Sequence, residues 1–383
     1  MNDLVEFYRQ LHRDPELSGA EERTAAAFAE RLTALGCTVR TGIGGHGVVA
    51  LLDNGAGRTV GLRTELDALP MAEETGLPYA STGQAMHACG HDLHLAAVVG
   101  TIARLAANRA DWSGRVLVLG QPAEETLDGA LAMQSAGVHD VFGAPDVLLA
   151  QHAVPGPVGR IGHSPGPITA PCAELAITVH GTGGHAAVPF LAVDPVVLAA
   201  HLVVRLQSVV ARETNPAEPV VITVGSVHAG EAANVIPDRV ELGVSVRAAS
   251  AGALSGALAA IERVCQAEAA ASGAPVPPEV ATVRSAPATV NDRQLVLAVR
   301  AAHAAEWGAD RVGWTPPVAA AEDVGHLLAR ADGTSIPLCY WTIGVGSRGT
   351  NHSPGFAPEP SALQAAVAAL TIAARSALTV TAG

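Results

Sequence analysis

The feature that most constrains the fold is a set of short, continuously apolar segments separated by helical segments. Residues 115–119 and 146–150 are apolar at nearly every position, which is typical of strands buried on both faces of a sheet. Residues 93–105 have the apolar spacing of a helix. Strands that alternate with helices predict an α/β fold with a mixed, largely parallel sheet.

The pattern changes near residue 172. Residues 174–180 alternate in the manner of a strand, a helical segment follows at 195–211, and two further strands (220–227 and 240–247) precede a helix at 252–271. This order predicts a small α+β domain, residues 172–284, inserted into a larger domain formed by residues 1–171 and 285–383. A length of 383 residues fits two domains.

Charge and composition exclude several functions. All 23 basic residues are arginines, so neither a Schiff-base lysine nor a P-loop lysine is available. The net charge of −13 disfavours nucleic acid and anionic membranes as partners. Neither a signal peptide nor a transmembrane helix is expected. Five widely spaced cysteines favour the reducing cytoplasm over a disulfide framework.

The densest group of chemically active residues lies just before the helix at 93–105. It contains three histidines, one cysteine and one aspartate within eight positions: His87, Cys89, His91, Asp92 and His94. Imidazole, thiolate and carboxylate groups are the ligands of transition metals. The segment therefore predicts a metal site, while a solvated polar turn with a buried cysteine remains open on this motif alone.

Further polar residues follow predicted strands. Glu124 and Glu125 come after the strand at 115–119, so one carboxylate could bind a metal while its neighbour acts as a general base. An ordinary acidic helix N-terminus is the alternative. His152 follows the strand at 146–150, and His352 lies in a glycine-rich loop. Taken singly, each of these histidines is also consistent with a structural role.

The inserted segment carries three residues suited to substrate recognition. His185 follows three closely spaced glycines, which let the backbone approach a ligand closely. Asn234 and Arg247 flank a predicted strand, and an amide with a guanidinium suits the recognition of a carboxylate. A turn asparagine and a surface arginine remain the alternative.

Together, in this order, the motifs resemble those of the M20 family of metallopeptidases and amidohydrolases. The similarity is greatest to its branch of hippurate hydrolases, auxin–amino acid conjugate hydrolases and N-acyl-amino-acid deacylases. It runs from residue 11 to about residue 356. The matching segments are LHRDPELS (11–18), RTELDALP (63–70), MHACGHD (86–92), QPAEE (121–125), GGHAA (183–187), NVIPD (234–238) and HSP (352–354).

The resemblance implies two divalent metal ions, Zn²⁺ in the first place with Mn²⁺, Co²⁺ or Ni²⁺ as alternatives, and an inserted lid or dimerisation domain. It implies that Glu124 is the general base and acid and that His185 stabilises the oxyanion, often in the site of a neighbouring subunit. Asn234 and Arg247 would hold the substrate carboxylate, and Asp67 would orient a metal-binding histidine. The implied metal ligands are Cys89 (bridging), His91, Glu125, His152 and His352.

The function implied is hydrolysis of the amide bond of N-acyl-L-amino acids by a metal-bound water, in a cytoplasmic homodimer. Alternatives are a metallo-carboxypeptidase or dipeptidase, a deacetylase of the N-acetyldiaminopimelate type, and a non-catalytic metal- or ligand-binding homologue. Two departures from the branch pattern bear on the site: Glu65 stands where aspartate is usual, and Phe190 stands where histidine is common.

Overall fold

The computed structural model describes residues 2–318 and 321–379, which form two compact units. The first consists of Met1–Ile168, Thr289–Pro317 and Asp323–Gly383. The second consists of Thr169–Ala288 and Val318–Glu322. The second unit is therefore inserted into the sequence of the first.

Eight α-helices and fourteen strands are found in the described residues. The helices are α1 (Asn2–Arg13), α2 (Glu22–Ala34), α3 (His91–Ala107), α4 (Gly129–Ser135), α5 (Pro195–Arg212), α6 (Ala251–Ala271), α7 (Arg293–Trp307) and α8 (Pro360–Thr379). The strands are β1 (Thr38–Ile43), β2 (Gly47–Asn54), β3 (Thr59–Glu65), β4 (Gly114–Gln121), β5 (Val147–Val154), β6 (Ile161–His163), β7 (Cys172–His180), β8 (Gly184–His185), β9 (Val220–Ala229), β10 (Val235–Ile236), β11 (Arg239–Ala248), β12 (Glu279–Ala286), β13 (Val312–Trp314) and β14 (Leu338–Gly344).

The first unit is built on an eight-stranded mixed sheet with the order β1-β2-β4-β3-β5-β14-β6-β13. Its centre is parallel: β4, β3, β5 and β14 all run in one direction. Three pairings, β1 with β2, β2 with β4 and β14 with β6, are antiparallel. The α/β fold class with a largely parallel sheet is confirmed.

Both faces of this sheet are buried at its centre, as the continuous apolar segments of β4 and β5 require. In β4, Val116 and Val118 join the core that contains side chains of α1, α2, α3, α7 and α8. Leu117 and Leu119 of the same strand face the opposite core, with side chains of α4 and the short helix Val324–Leu328. Successive side chains of a strand point to opposite faces, so each helical layer receives alternate residues.

The second unit is an α+β sandwich, as the sequence predicts. Its antiparallel sheet has the order β12-β7-β11-β9, and α5 and α6 pack on one face. Asp194 caps α5 by accepting hydrogen bonds from the backbone amides of Val196 and Val197, with Pro195 at the first helical position. Ser250 caps α6 in the same way, through the backbone amide of Ala253.

Two of the described helices, α5 and α8, have the length and hydropathy that a membrane crossing would need. Core helices of folded domains share this length and hydropathy. Of the apolar window of α8, 56% is buried within the protein, and Ala366 and Leu370 of this helix belong to the core of the first unit.

A buried pair of histidines in the first unit makes a prediction about acid stability. His163 and His303 lie 3.1 Å apart, and Nε2–H of His303 donates to the carbonyl of Ala369. Burial lowers the pKa of His163 to about 3 and that of His303 to about 4, so the folded chain keeps both neutral. The unfolded chain protonates them near pH 6.5, so the stability that they contribute is lost as the pH falls from about 6.5 towards these values.

We expect the double variant His163→Leu/His303→Leu to have a shallower loss of stability between pH 6.5 and 4.5. The reduction in slope should approach about 2.8 kcal/mol per pH unit, twice the ~1.4 of a single group. Urea unfolding at several pH values measures this slope. His201→Leu, at an exposed position of α5, is the matched control and should leave the slope unchanged. Equal slopes in all three proteins would contradict the prediction.

Candidate active site

The candidate site lies at the carboxyl ends of the parallel strands in the first unit. Asp67 follows β3, Glu124 and Glu125 follow β4, and His352 lies in the loop after β14. His152 lies inside β5, which runs to Val154 rather than ending near residue 150 as expected. Ligand sites of open α/β sheets form at this edge because the carboxyl ends of parallel strands meet there.

A tight turn places Cys89 and His91 on either side of Gly90, just before α3. Gly90 has φ 85°, a conformation that L side chains rarely adopt. A Cβ atom at this position would also lie 3.0 Å from the Cβ of Ala153. Glycine is therefore required for the close approach of this turn to β5, the strand that carries His152.

Cys89, His91 and His152 form one group whose potential ligand atoms all lie within 4.8 Å of one another. The Cys89 sulfur is 3.4 Å from Nε2 of His152. Nδ1–H of His152 donates to the carbonyl of Ala153 at 2.9 Å, so the Nε2 lone pair faces the thiol.

Cys89, Glu125 and His352 form a second group of the same dimensions. Nε2 of His352 is 3.3 Å from Oε2 of Glu125. Because Cys89 belongs to both groups, the arrangement fits two neighbouring cations that share one thiolate. His352 has φ 61°, a strained backbone conformation of the kind that concentrates at functional sites.

The electrostatics of the site suit cation binding. Burial and the neighbouring imidazole of His94 lower the pKa of His152 to about 3, so this ring is neutral at physiological pH. Burial and the carboxylate of Glu125 raise the pKa of the Cys89 thiol. Hydrogen bonds with Cys89 and Glu125 raise the pKa of His352 to about 10. A cation would replace these protons, because thiolate and neutral imidazole are the ligating forms.

Two buried atoms indicate that the site fits metal ions. Within residues 2–318 and 321–379, Nε2 of His91 and Oε1 of Glu125 are buried without a hydrogen-bond partner, and they lie 3.9 Å apart. A buried polar group without a partner costs about 1–3 kcal/mol. A divalent ion between an imidazole nitrogen and a carboxylate oxygen would remove that cost for both.

Asp67 contacts both the segment that carries His91 and the segment that carries Glu125. Its backbone carbonyl accepts a hydrogen bond from Nδ1–H of His91 at 2.9 Å, which leaves Nε2 of that ring directed at the carboxylates. Its Oδ2 accepts from the backbone amide of Glu125 at 2.9 Å and from the hydroxyl of Ser18 at 2.7 Å. The His91 ring, outweighing the effect of burial, keeps the pKa of Asp67 below its usual value.

Glu124 lies beside the ligand groups but in a different position from Glu125. It is buried, with 6% of its surface exposed, and its Oε2 is 3.7 Å from Nε2 of His91. Ala123 precedes it with φ 49°, so a strained turn directs two consecutive carboxylates to separate places. The arrangement can therefore provide one carboxylate as a ligand and another as a base.

The structure adds a buried polar network that the sequence analysis did not identify. Arg63 donates through Nε to Oε1 of Gln121 at 2.9 Å and is paired with the carboxylate of Glu65. Oε2 of Glu65 lies 2.8 Å from Nδ1 of His94. Asp323 accepts from Nε2 of Gln121 at 2.6 Å and lies 3.5 Å from the Arg63 guanidinium. The RTELD motif signals part of this network, but Asp323 lies 202 positions from Gln121.

In the second unit, His185 and Asn234 are brought together. His185 on β8 pairs with Val235 on β10, and the carbonyl of Asn234 accepts from the amide of Ala186 at 3.1 Å. Both side chains are exposed and line one hollow of about 500 Å³. Nδ1 of His185 accepts from the amide of Ala187 at 3.0 Å, so Nε2 of the neutral ring carries a proton that it can donate.

Within a single chain, Arg247 does not line this hollow. It lies near the end of β11 and pairs with Cys172, whereas the first residue of that strand, Arg239, pairs with His180. Asp238, which directly precedes Arg239, lines the hollow. Eight residues of extended strand separate Arg239 from Arg247 by about 27 Å, at about 3.4 Å per residue. The predicted substrate-binding residues therefore lie at opposite ends of the second unit.

Comparisons with known proteins agree with this geometry. Residues 61–376 match the model of peptidase family M20/M25/M40. The chain is 33% identical over 381 residues to the N-acetyldiaminopimelate deacetylase of Streptococcus pneumoniae, covering 97% of this chain and 98% of that one. It is 38% identical over 247 residues to the N-acetyl-L-cysteine deacetylase of Bacillus subtilis, covering 64% of this chain and 59% of that one.

A solved structure has the same architecture. The YxeP protein of Bacillus subtilis, described as a dinuclear metal-binding peptidase of the M20 family, superposes with a TM-score of 0.80 and 28% identity. The superposition covers 98% of each chain. Since the family match spans most of the sequence and the fold and metal-ligand groups agree with it, the chain belongs to peptidase family M20, a family of metal-dependent amidohydrolases and deacetylases.

Proposed function

We propose that the protein is a binuclear metal-dependent amidohydrolase that cleaves N-acyl-L-amino acids, with small acyl groups such as acetyl preferred. The observation that carries the proposal is the position of Glu124. This buried carboxylate lies 3.7 Å from Nε2 of His91, beside the two groups that share Cys89. The deacetylases among its relatives support amide hydrolysis of acetylated amino acids as the reaction class.

The metal ions, when bound, supply Lewis acidity that lowers the pKa of water and polarises the amide carbonyl. The proposed ligands are Cys89, His91, Glu125, His152 and His352. Their sulfur, nitrogen and oxygen atoms suit Zn²⁺, with Mn²⁺, Co²⁺ and Ni²⁺ as substitutes. Asp67 fixes the ring of His91 so that Nε2 keeps its lone pair for the metal.

Glu124 performs the proton transfers in this proposal. It takes a proton from the water that attacks the amide carbon, and it delivers a proton to the leaving amine nitrogen. His185 donates its Nε2–H to the oxygen on which negative charge develops. The amide of Asn234 and the guanidinium of Arg247 hold the carboxylate of the amino-acid part.

The distance between the recognition residues supports a homodimer. Since Arg247 lies about 27 Å along β11 from the end that carries His185 and Asn234, one substrate carboxylate cannot reach both ends of one second unit. We propose that the second unit serves as a lid and dimerisation domain, so that His185 and Asn234 complete the site of the partner chain.

We place the enzyme in the bacterial cytoplasm, with small molecules as its only substrates. Its deacetylase relatives are bacterial. All five cysteines are free and buried, as expected of a protein that needs its Cys89 thiolate kept reduced.

The test is release of free amine from a panel of N-acyl amino acids and dipeptides. The chain is first stripped of metal and then supplied with Zn²⁺, Mn²⁺ or Co²⁺. We expect metal-dependent release, fastest from N-acetyl amino acids. Faster cleavage of dipeptides would favour a dipeptidase instead. No release from folded, reduced protein with any metal would overturn the proposal and favour a binding protein.

A further inference from the structure

We propose that His94 is a positioning residue for the metal ligand His152, and that it does so within a buried chain of hydrogen bonds from Arg63 through Glu65. The inference rests on the proposed function, because it takes His152 to be a metal ligand. It gives a role to the Glu65 carboxylate and to the third histidine of the HACGHDLH segment, neither of which contacts the reacting groups in the proposed mechanism.

The hydrogen bonds of His94 fix its tautomer. Its Nε2 accepts from the backbone amide of Ala153 at 2.8 Å, so this nitrogen carries no proton. Its Nδ1 lies 2.8 Å from Oε2 of Glu65. Glu65 is ionised because it is paired with Arg63 in the interior, and a carboxylate can only accept. Nδ1 of His94 therefore carries the proton and donates it to Glu65.

This arrangement excludes His94 as a ligand. The potential ligand atoms of Glu65, His91 and His94 also lie within 4.8 Å of one another. Each nitrogen of His94 is nevertheless already used, one as a donor and the other as an acceptor. A lone pair that accepts a backbone N–H is not available to a metal. The His94 ring therefore supports the ligand His152 and does not itself coordinate a metal ion.

His94 acts on His152 through the residue that joins them. Ala153 directly follows His152 in β5, and its amide is held by His94. The carbonyl of Ala153 accepts from Nδ1–H of His152 at 2.9 Å and from the side-chain amide of Asn351 at 3.0 Å. The rings of His94 and His152 also pack edge to face, with centroids 5.1 Å apart. These contacts fix both the backbone and the ring of the ligand.

The end of the hydrogen-bond chain that is farthest from His152 lies in the central sheet. Glu65 is the last residue of β3, and Arg63 lies two residues earlier on the same face of the strand. The guanidinium of Arg63 is held by Gln121 at the end of β4 and lies close to Asp323. All of these side chains are buried. A carboxylate held at this depth is rigid, so it can set the orientation of the imidazole that it binds.

The experiment measures metal stoichiometry and affinity rather than turnover. Purified His94→Ala and His94→Gln variants are titrated with Co²⁺, and the thiolate-to-cobalt absorption and bound metal per chain are recorded. We expect His94→Ala to keep two ions per chain at saturation but to bind them about 10- to 100-fold more weakly. His94→Gln should bind nearly as well as the wild type, since Oε1 of glutamine replaces Nε2 as acceptor for the Ala153 amide.

The outcomes separate the inference from its alternatives. Loss of one ion per chain in both variants would make His94 a ligand and overturn the inference. Unchanged affinity in His94→Ala would reduce its role to packing and also overturn it. His163→Ala is the matched control, because it removes another buried histidine whose ring pairs with His303, and it should lower the melting temperature without weakening metal binding. If the wild-type chain itself binds no Co²⁺, the proposed metal centre fails instead.

Discussion

Replacement of Glu124 by glutamine should lower kcat by about a thousand-fold while the chain still binds two metal ions. Glutamine has nearly the shape of glutamate but cannot take a proton from water or return one to the leaving amine. General acid–base catalysis contributes about 10²- to 10⁴-fold. Because Glu124 is buried beside His91, bulk water does not take over its role as base in the variant. Initial rates at saturating substrate, with bound metal measured on the same samples, test the expectation.

The neighbouring residue provides the matched control for this variant. Glu125→Gln alters the adjacent carboxylate, whose Oε2 is 3.3 Å from Nε2 of His352 and whose Oε1 has no hydrogen-bond partner among the described residues. We expect the Glu125→Gln variant to bind metal more weakly than the wild type and to regain part of the wild-type activity when metal is added in excess. Near-normal turnover of Glu124→Gln, or loss of metal from it, would remove Glu124 from the role of base.

Two of the strands predicted from the sequence are buried on both faces. β4 and β5 are covered on both faces, and four of the five residues in each of their predicted segments, 115–119 and 146–150, are apolar, so the pattern is unambiguous. The sequence pattern does not predict β1 and β12, which lie at the edges of their sheets and are largely exposed. Few of their side chains are buried, and burial is what produces a periodic pattern.

The site residues also differ in how well the sequence predicts their roles. Cys89, His91 and Glu125 lie in compact motifs of ligand residues, so sequence spacing alone indicates their chemistry. His152 and His352 are single histidines, and only the fold brings them to Cys89. The role of Asp323 could not be predicted, because its contact with Gln121 depends on the meeting of two segments distant in sequence. The separation of Arg247 from His185 also became visible only with the register of β11 on β7.

A mixed dimer of two inactive variants should recover about half of the wild-type activity. His185→Ala alone should lower kcat by about 10²- to 10³-fold, the usual cost of removing one donor to an oxyanion. If His185 serves the partner chain, a dimer of His185→Ala with Glu124→Gln contains one site with both residues intact. The other site lacks both. One working site out of two gives about half of the activity per dimer.

The experiment uses co-expression of the two variants with different affinity tags and purification through both tags in turn. Dimers that carry His185→Ala under both tags are the control and should stay at the level of the single variant. If His185 serves its own chain, the mixed dimer keeps Glu124 and His185 in different sites and remains as inactive as its parents. Failure to recover any doubly tagged protein would argue against a stable dimer. Because the intact and the defective arrangements differ by about two orders of magnitude in rate, even a partly exchanged sample distinguishes them.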